Sequence, residues 1–202
     1  MRLYQMQDSG NCYKVRLLAR QLGLSLELVD VDILKGENRT DDFLARNPNG
    51  RVPTVEFEDG RTLAESNAIM FYLAEGTPLL PDDRMARAQA LQWMFFEQYS
   101  HEPYIAVARF WQSIKPGGYA EKKDSFPLWH ERGYQALGVM ERHLADHDWF
   151  AGDRYSIADI ALYAYTHVAH EGGFDVAPYR AIGRWMGRMR SEPGHVPMDW
   201  RP

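Results

Sequence analysis

One cysteine, Cys12, is all that the 202 residues contain. That excludes an internal disulfide and any Cys-x-x-Cys redox or zinc pair, and it fits a reducing, cytoplasmic setting. No apolar run approaches the roughly 20 residues that a bilayer span requires. The opening MRLYQM lacks the basic n-region and long apolar h-region of a signal peptide, so no membrane partner is expected. A basic excess is missing too. With 23 Lys and Arg against 28 Asp and Glu the net charge is −5, and nothing draws the chain to nucleic acid. There is no Gly-rich phosphate loop, no nucleophile elbow, no internal repeat and no low-complexity tract. His143 and His147, and His167 and His170, fall at helical spacing. No Glu follows His143 to complete His-Glu-x-x-His, so no metal is expected.

What remains is an ordinary globular composition, 45% hydrophobic and 25% charged, large enough for one or two domains. Met1–Met6 reads as a strand and Gln7–Asn11 as a turn. Val15, Leu17, Leu18 and Leu22 recur at helical spacing until Gly23. Leu24–Val31 is a second strand, so the opening is strand–helix–strand. Lys35–Thr40 is a polar loop, and Asp42–Arg46 is one helical turn. After Gly76-Thr77-Pro78 the strand signals cease. Arg84–Ser100 reads as a helix with Ala88, Leu91, Met94 and Phe95 on one face. Pro103 kinks or restarts it, and Tyr104–Ile114 continues. Leu128–His147 and Ile157–His170 are further helices. The latter is launched by Ser156 and Asp159, a capping box with Asp in place of Glu. A last helix follows Pro178 to about Arg190, and the tail SEPGHVPMDWRP is loop-like. The expected fold class is α/β plus all-α: a small α/β domain over residues 1–77, a linker over 78–83 and an all-helical domain over 84–202.

The most informative stretch is NPNGRVPTVEFEDGRTLAES, residues 47–66. Strands near Thr54–Phe57 and Arg61–Ala64 flank a Glu58-Asp59-Gly60 hairpin signal. Pro53 opens the first strand, where a proline is tolerated. A cis Val52–Pro53 bond would turn the backbone groups of Val52 outward as a short edge able to pair with a peptide-like ligand. Ser66 reads as the cap or first-turn residue of the next helix, whose free N–H groups and dipole suit a carboxylate. Glu65 beside it can accept from an ammonium group. An anion site, a cation site and a peptide edge together suit a small zwitterionic peptide.

The run NPNGRVPT…LAES resembles the glutathione-binding half of glutathione transferases, whose pattern is a cis-Pro strand followed by Glu-Ser at a helix start. The resemblance runs back through VDILKGENRTDDFLARNP and forward to GDRYSIADIAL. It points to a bacterial, serine-type member similar to the phi, theta and nu-like classes. It implies a thioredoxin-like N-terminal domain followed by a helical C-terminal domain, glutathione as co-substrate with no further cofactor, and a homodimer. On this resemblance Ser9, in the turn after strand one, is the catalytic hydroxyl. It would donate to the glutathione sulfur and favour the thiolate. Without the resemblance Ser9 is simply a helix cap. Asn11 matches a Ser-or-Thr, x, Asn version of the turn and would stand beside the sulfur, or else be a turn asparagine. KGENR resembles a plant-type loop in which Asn38 (histidine in that pattern) and Arg39 approach the glycyl carboxylate, with Arg51 as a further contact. Val52 and Pro53 would present the backbone edge, and Glu65 and Ser66 would hold the γ-glutamyl end.

A hydrophobic small-molecule electrophile would sit against the helical domain, where Tyr99, Tyr104, Phe110 and Trp111 make a dense aromatic region. Tyr104, Phe110 and Trp111 are the pocket candidates, while Trp93 and Phe96 would serve core or dimer interface. The expected activity is glutathione transfer to an electrophile, a detoxification chemistry. Two other readings stand beside it. One is a glutathione-dependent disulfide-bond or peroxide reductase, motivated by the Ser9–Asn11 turn and the Cys12 thiol. The other is a non-enzymatic interaction protein on the same fold.

Overall fold

The computed structural model describes all 202 residues, which divide into two units: Met1–Glu75 with Pro193–Pro202, and Gly76–Glu192. The first unit contains strands β1 (Arg2–Gln5), β2 (Glu27–Asp30), β3 (Thr54–Glu56) and β4 (Thr62–Ala64), with helices α1 (Gly10–Gln21), α2 (Asp41–Arg46) and α3 (Ser66–Ala74). The sheet order is β2-β1-β3-β4. β1 runs parallel to β2, with Leu3 opposite Leu28, and antiparallel to β3, with Leu3 opposite Val55. β3 and β4 form the antiparallel hairpin. This is the thioredoxin-like mixed sheet expected of the first domain.

Alternation along the strands divides the core. Leu3 and Val55 pack with Val15, Ala19, Leu26 and Ile69, joining the sheet to α1 and α3. Tyr4 and Val31 pack with Phe43 of α2. Side chains on successive strand residues point to opposite faces, so Leu3 and Tyr4 must serve different layers. β2 is shorter than the Leu24–Val31 expectation. Leu24 and Ser25 precede it in exposed, non-strand backbone.

The tail departs from the expected boundary. Residues 193–202 pack on the first unit rather than the helical one. Tyr13 donates its hydroxyl to the Val196 carbonyl at 2.7 Å, Arg16 donates to the Met198 carbonyl at 2.7 Å, and Arg201 donates to Asp30 at 2.8 Å.

The second unit is helical: α4 (Arg84–Phe96), α5 (Glu102–Arg109), α6 (Gly118–Lys122), α7 (Phe126–Asp146), α8 (Ile157–Thr166) and α9 (Arg180–Ser191). A π turn over Glu97–His101 joins α4 to α5, with Pro103 in the first turn of α5, and a second π turn, Phe110–Ile114, extends it. Proline there lacks only an N–H that a helix start leaves unpaired anyway. The buried side of α4 carries Ala90, Trp93 and Met94. This corrects the expected face, because Ala88 and Phe95 are exposed. Trp93 is core, packed against Phe96, His143 and Phe150. α8 stops at Thr166, short of His170, and is buried along its whole length. No helix is long and apolar enough to cross a membrane.

Candidate functional site

The site begins where β1 meets α1. Ser9 has extended backbone and caps α1, its Oγ accepting from the Cys12 N–H at 3.3 Å. The cap occupies an oxygen lone pair, and the hydroxyl hydrogen, which is also within reach of the Cys12 thiol, is a separate donor. Capping and thiol recognition are therefore compatible uses of one side chain. Cys12 is wholly buried and takes an N–H from Met6 on its sulfur at 3.4 Å. Burial pushes its thiol above the usual cysteine range, so this sulfur is poorly placed to attack anything.

The second wall is the stretch before β3. Asn47, which follows α2, is buried and ties the turn together. Its Nδ2 donates to the Arg51 carbonyl at 2.8 Å and to Thr54 Oγ1 at 3.2 Å, while its Oδ1 accepts from the Asn49 N–H at 3.1 Å. The turn so held presents Val52 and a cis Val52–Pro53 bond. Asn38 and Arg39, read as ligands for a carboxylate, also brace this turn. Asn38 Nδ2 donates to the Gly50 carbonyl at 2.7 Å and Arg39 to that of Asn49 at 3.0 Å. Gly50 has φ +63°, and a Cβ there would collide with the Arg39 guanidinium. Arg51 is exposed.

The third wall is the start of α3. Ser66 is its first residue, and Glu65 occupies the cap position with φ +66°, the only non-glycine residue with positive φ. That conformation costs of the order of 1–3 kcal/mol and clusters at functional positions. Asn11 and Lys14 lie three residues apart, hence on one face of α1, and both reach this helix start. Ser66 Oγ donates to Asn11 Oδ1 at 3.1 Å. Lys14 Nζ donates to Ser66 Oγ and to Asn67 Oδ1, each at 3.4 Å. Lys14 is fully buried.

The structure thus joins Asn11 to Ser66 and brackets them with Ser9 and the Val52–Pro53 turn. The N-termini of α1 and α3, with a buried ammonium beside the second, suit two separated anions. Lys14 and Asn47 went unread in the sequence. The signal for Lys14 was a cation three residues after Asn11, on the same helix face, in a helix that also carries Arg16 and Arg20. For Asn47 it was an asparagine closing α2 immediately before Pro48.

In the helical unit Tyr104, Phe110 and Trp111 are half-buried. Phe110 and Trp111 meet edge to face at 5.5 Å, and the Lys115 ammonium sits 4.2 Å from the centre of the Trp111 ring. The His143 and His147 rings stack at 4.3 Å. Each ring has a nitrogen engaged with a carbonyl, His143 with Trp149 and His147 with His143.

Comparison with known proteins agrees with this architecture. The model of the glutathione S-transferase N-terminal domain matches residues 1–75, and that of the C-terminal domain matches residues 93–193. A solved glutathione S-transferase from Pseudomonas fluorescens is 54% identical with a TM-score of 0.95, covering 98% of both chains. A glutathione transferase from Burkholderia graminis, solved with two glutathione molecules bound per subunit, is 27% identical with a TM-score of 0.81, covering 96% of this chain and 84% of that one. The disulfide-bond oxidoreductase YfcG of Escherichia coli is 30% identical over 190 residues, 91% of this chain and 87% of that protein.

Proposed function

The chain belongs to the glutathione S-transferase family, and we propose that it activates the thiol of glutathione for attack on a hydrophobic small-molecule electrophile in the cytoplasm. The observation that carries this reading is the junction of α1 and α3, where Ser66 donates to Asn11 at 3.1 Å. In the proposed complex the sulfur lies at the start of α1, with the Ser9 hydroxyl and the Asn11 amide donating to it. The backbone of Val52 pairs with the cysteinyl unit, and Pro53 holds that edge. The γ-glutamyl carboxylate lies at the N-terminus of α3 with Ser66, its ammonium at Glu65. The glycyl carboxylate goes to Arg51, while Asn38 and Arg39 keep that loop in place. The electrophile is met by Tyr104, Phe110 and Trp111. A homodimer through α4 and the π turn after it accounts for Met85 and Phe95 of the helix and Tyr99 of the turn, at 67%, 70% and 84% exposure.

Reduced glutathione titrated by calorimetry into the protein should give saturable binding. No heat at millimolar glutathione would sink the enzyme readings altogether. Ser9→Ala should lower turnover of an activated aryl halide by about 10- to 100-fold, at or below the low end of what one positioned donor contributes. It should also cost about 1 kcal/mol of stability through the lost cap. Unchanged turnover would remove Ser9 from the reaction and leave the sulfur to Asn11.

The relationship to a disulfide-bond oxidoreductase, and the two glutathione molecules in the Burkholderia protein, support a second reading. Here the bound glutathione thiolate attacks a disulfide and expels one thiolate. A second glutathione then resolves the mixed disulfide, releasing the other thiol and oxidised glutathione. Cys12 is buried with a raised pKa, so it takes no part in this cycle. Cys12→Ser should leave 2-hydroxyethyl disulfide reduction within about twofold, a change worth under 0.5 kcal/mol. Loss of that activity would return the nucleophile to Cys12.

A further inference from the structure

Lys14 is the charged side chain that the roles above leave unused. It is fully buried on α1, and taking an ammonium out of water costs several kcal/mol. Two oxygens that accept from it, Ser66 Oγ and Asn67 Oδ1, belong to the first turn of α3. The geometry of the Ser66 hydroxyl follows from this. An ammonium can only donate, so Ser66 Oγ accepts from Lys14 and its own hydrogen goes outward, to Asn11 Oδ1 at 3.1 Å. Accepting that hydrogen settles which end of the Asn11 amide faces Ser66. The oxygen turns to α3, and the N–H end of the amide points away from Ser66.

We propose that Lys14 is a positioning residue that acts through Ser66 and Asn11: its ammonium orients the Ser66 hydroxyl, which orients the Asn11 amide with its N–H donors toward the bound sulfur. The relay joins the two ends of the site. A carboxylate at the start of α3 and a thiolate at the start of α1 are served by one hydrogen-bonded line with a single cation at its root. The inference rests on the glutathione reading given above.

The test is the pKa of the glutathione thiol in the binary complex, read from the ultraviolet absorbance of the bound thiolate, in wild type, Lys14→Met, Ser66→Ala and the double variant. Methionine keeps the length of the side chain without its charge. Lys14→Met should still bind glutathione, with the bound thiol raised by about one unit and the acidic limb of kcat/KM for the electrophile, at saturating glutathione, moved up by the same amount. Ser66→Ala, which keeps the ammonium, should raise it comparably. The double variant should go no further than either single one, the mark of residues acting in series. A bound thiol at its wild-type pKa in Lys14→Met overturns the proposal, and so does Ser66→Ala that weakens binding without moving the thiol. Should Lys14→Met not fold, the Ser66→Ala measurement decides. Failure of wild type to bind glutathione is a different result: it removes the site, and the relay with it.

Discussion

Asp159→Ala should unfold the helical unit with about 3–5 kcal/mol less free energy than wild type, lowering the thermal midpoint by about 10 °C for a chain of this size. Asp159 is fully buried, and its two oxygens serve four donors. Oδ1 accepts from the Phe150 N–H at 3.2 Å and from the Trp185 indole at 3.0 Å, while Oδ2 accepts from the Ser156 N–H at 3.0 Å and the Ser156 hydroxyl at 3.2 Å. One carboxylate therefore caps α8, fixes the loop before it and anchors α9. Alanine would leave all four donors buried without an acceptor, each worth about 1–3 kcal/mol when orphaned, with the total limited by relaxation. A variant as stable as wild type in denaturant would mean that the network contributes nothing net.

The same residue gives a pH signature. Burial pushes the Asp159 carboxyl up from 3.8 to about 7, against the pull of its four donors. The folded chain thus holds this proton more tightly than the unfolded chain does. Its contribution to stability is complete below the unfolded value and is lost as pH rises through the folded one. Unfolding free energy should fall between about pH 4 and pH 7, by at most about 4 kcal/mol from this group. Asp159→Asn should flatten that part of the profile. Parallel profiles for the two proteins over this range would show that Asp159 stays ionised in the fold.

Asp159 also shows how far local rules carry. Ser156 followed by Asp159 is legible as a capping box because both bonds close within three residues, and the structure contains it. The bond to Trp185, 26 residues away, has no counterpart in any local pattern. The first unit divides in the same way. Periodicity and Gly–Pro punctuation located β1, α1, α2 and the β3–β4 hairpin, and the Ser9, Val52–Pro53 and Glu65–Ser66 triad was visible as a motif. The link from Lys14 to Ser66 spans 52 residues and appears only once α1 lies against α3. On α4 and the π turn after it, Met85, Phe95 and Tyr99 make one apolar side and Ala90, Trp93 and Met94 another. Periodicity reports that a helix is amphipathic. It does not report which of two apolar sides meets the core.

Removal of residues 193–202 should destabilise the first unit by about 3–5 kcal/mol and leave the helical unit's own network intact. Arg16 is the reason. It is wholly buried, and burial depresses its pKa, yet a guanidinium keeps its charge. It donates to the Gln5 side chain, to the Gln7 carbonyl at 2.9 Å and to the Met198 carbonyl of the tail at 2.7 Å. Without the tail this cation loses an acceptor, and Tyr13 loses the Val196 carbonyl. Gln7 loses the Met198 carbonyl as well, and Gln7 opens the turn that carries Ser9. The damage should therefore extend to function, with weaker glutathione binding and a higher bound-thiol pKa. Hydrogen exchange locates the effect: amides of β1 and α1 should lose protection in the truncated chain, while those of α8 keep theirs. The boundary expected from sequence, with the tail as the end of the helical domain, predicts the reverse. Exchange confined to α8 and α9 would favour that boundary over the docking of the tail on the first unit. The difference arises because a loop with three prolines carries no periodicity of its own. Its place is decided by the buried groups it satisfies, here the side chains of Tyr13, Arg16 and Gln7.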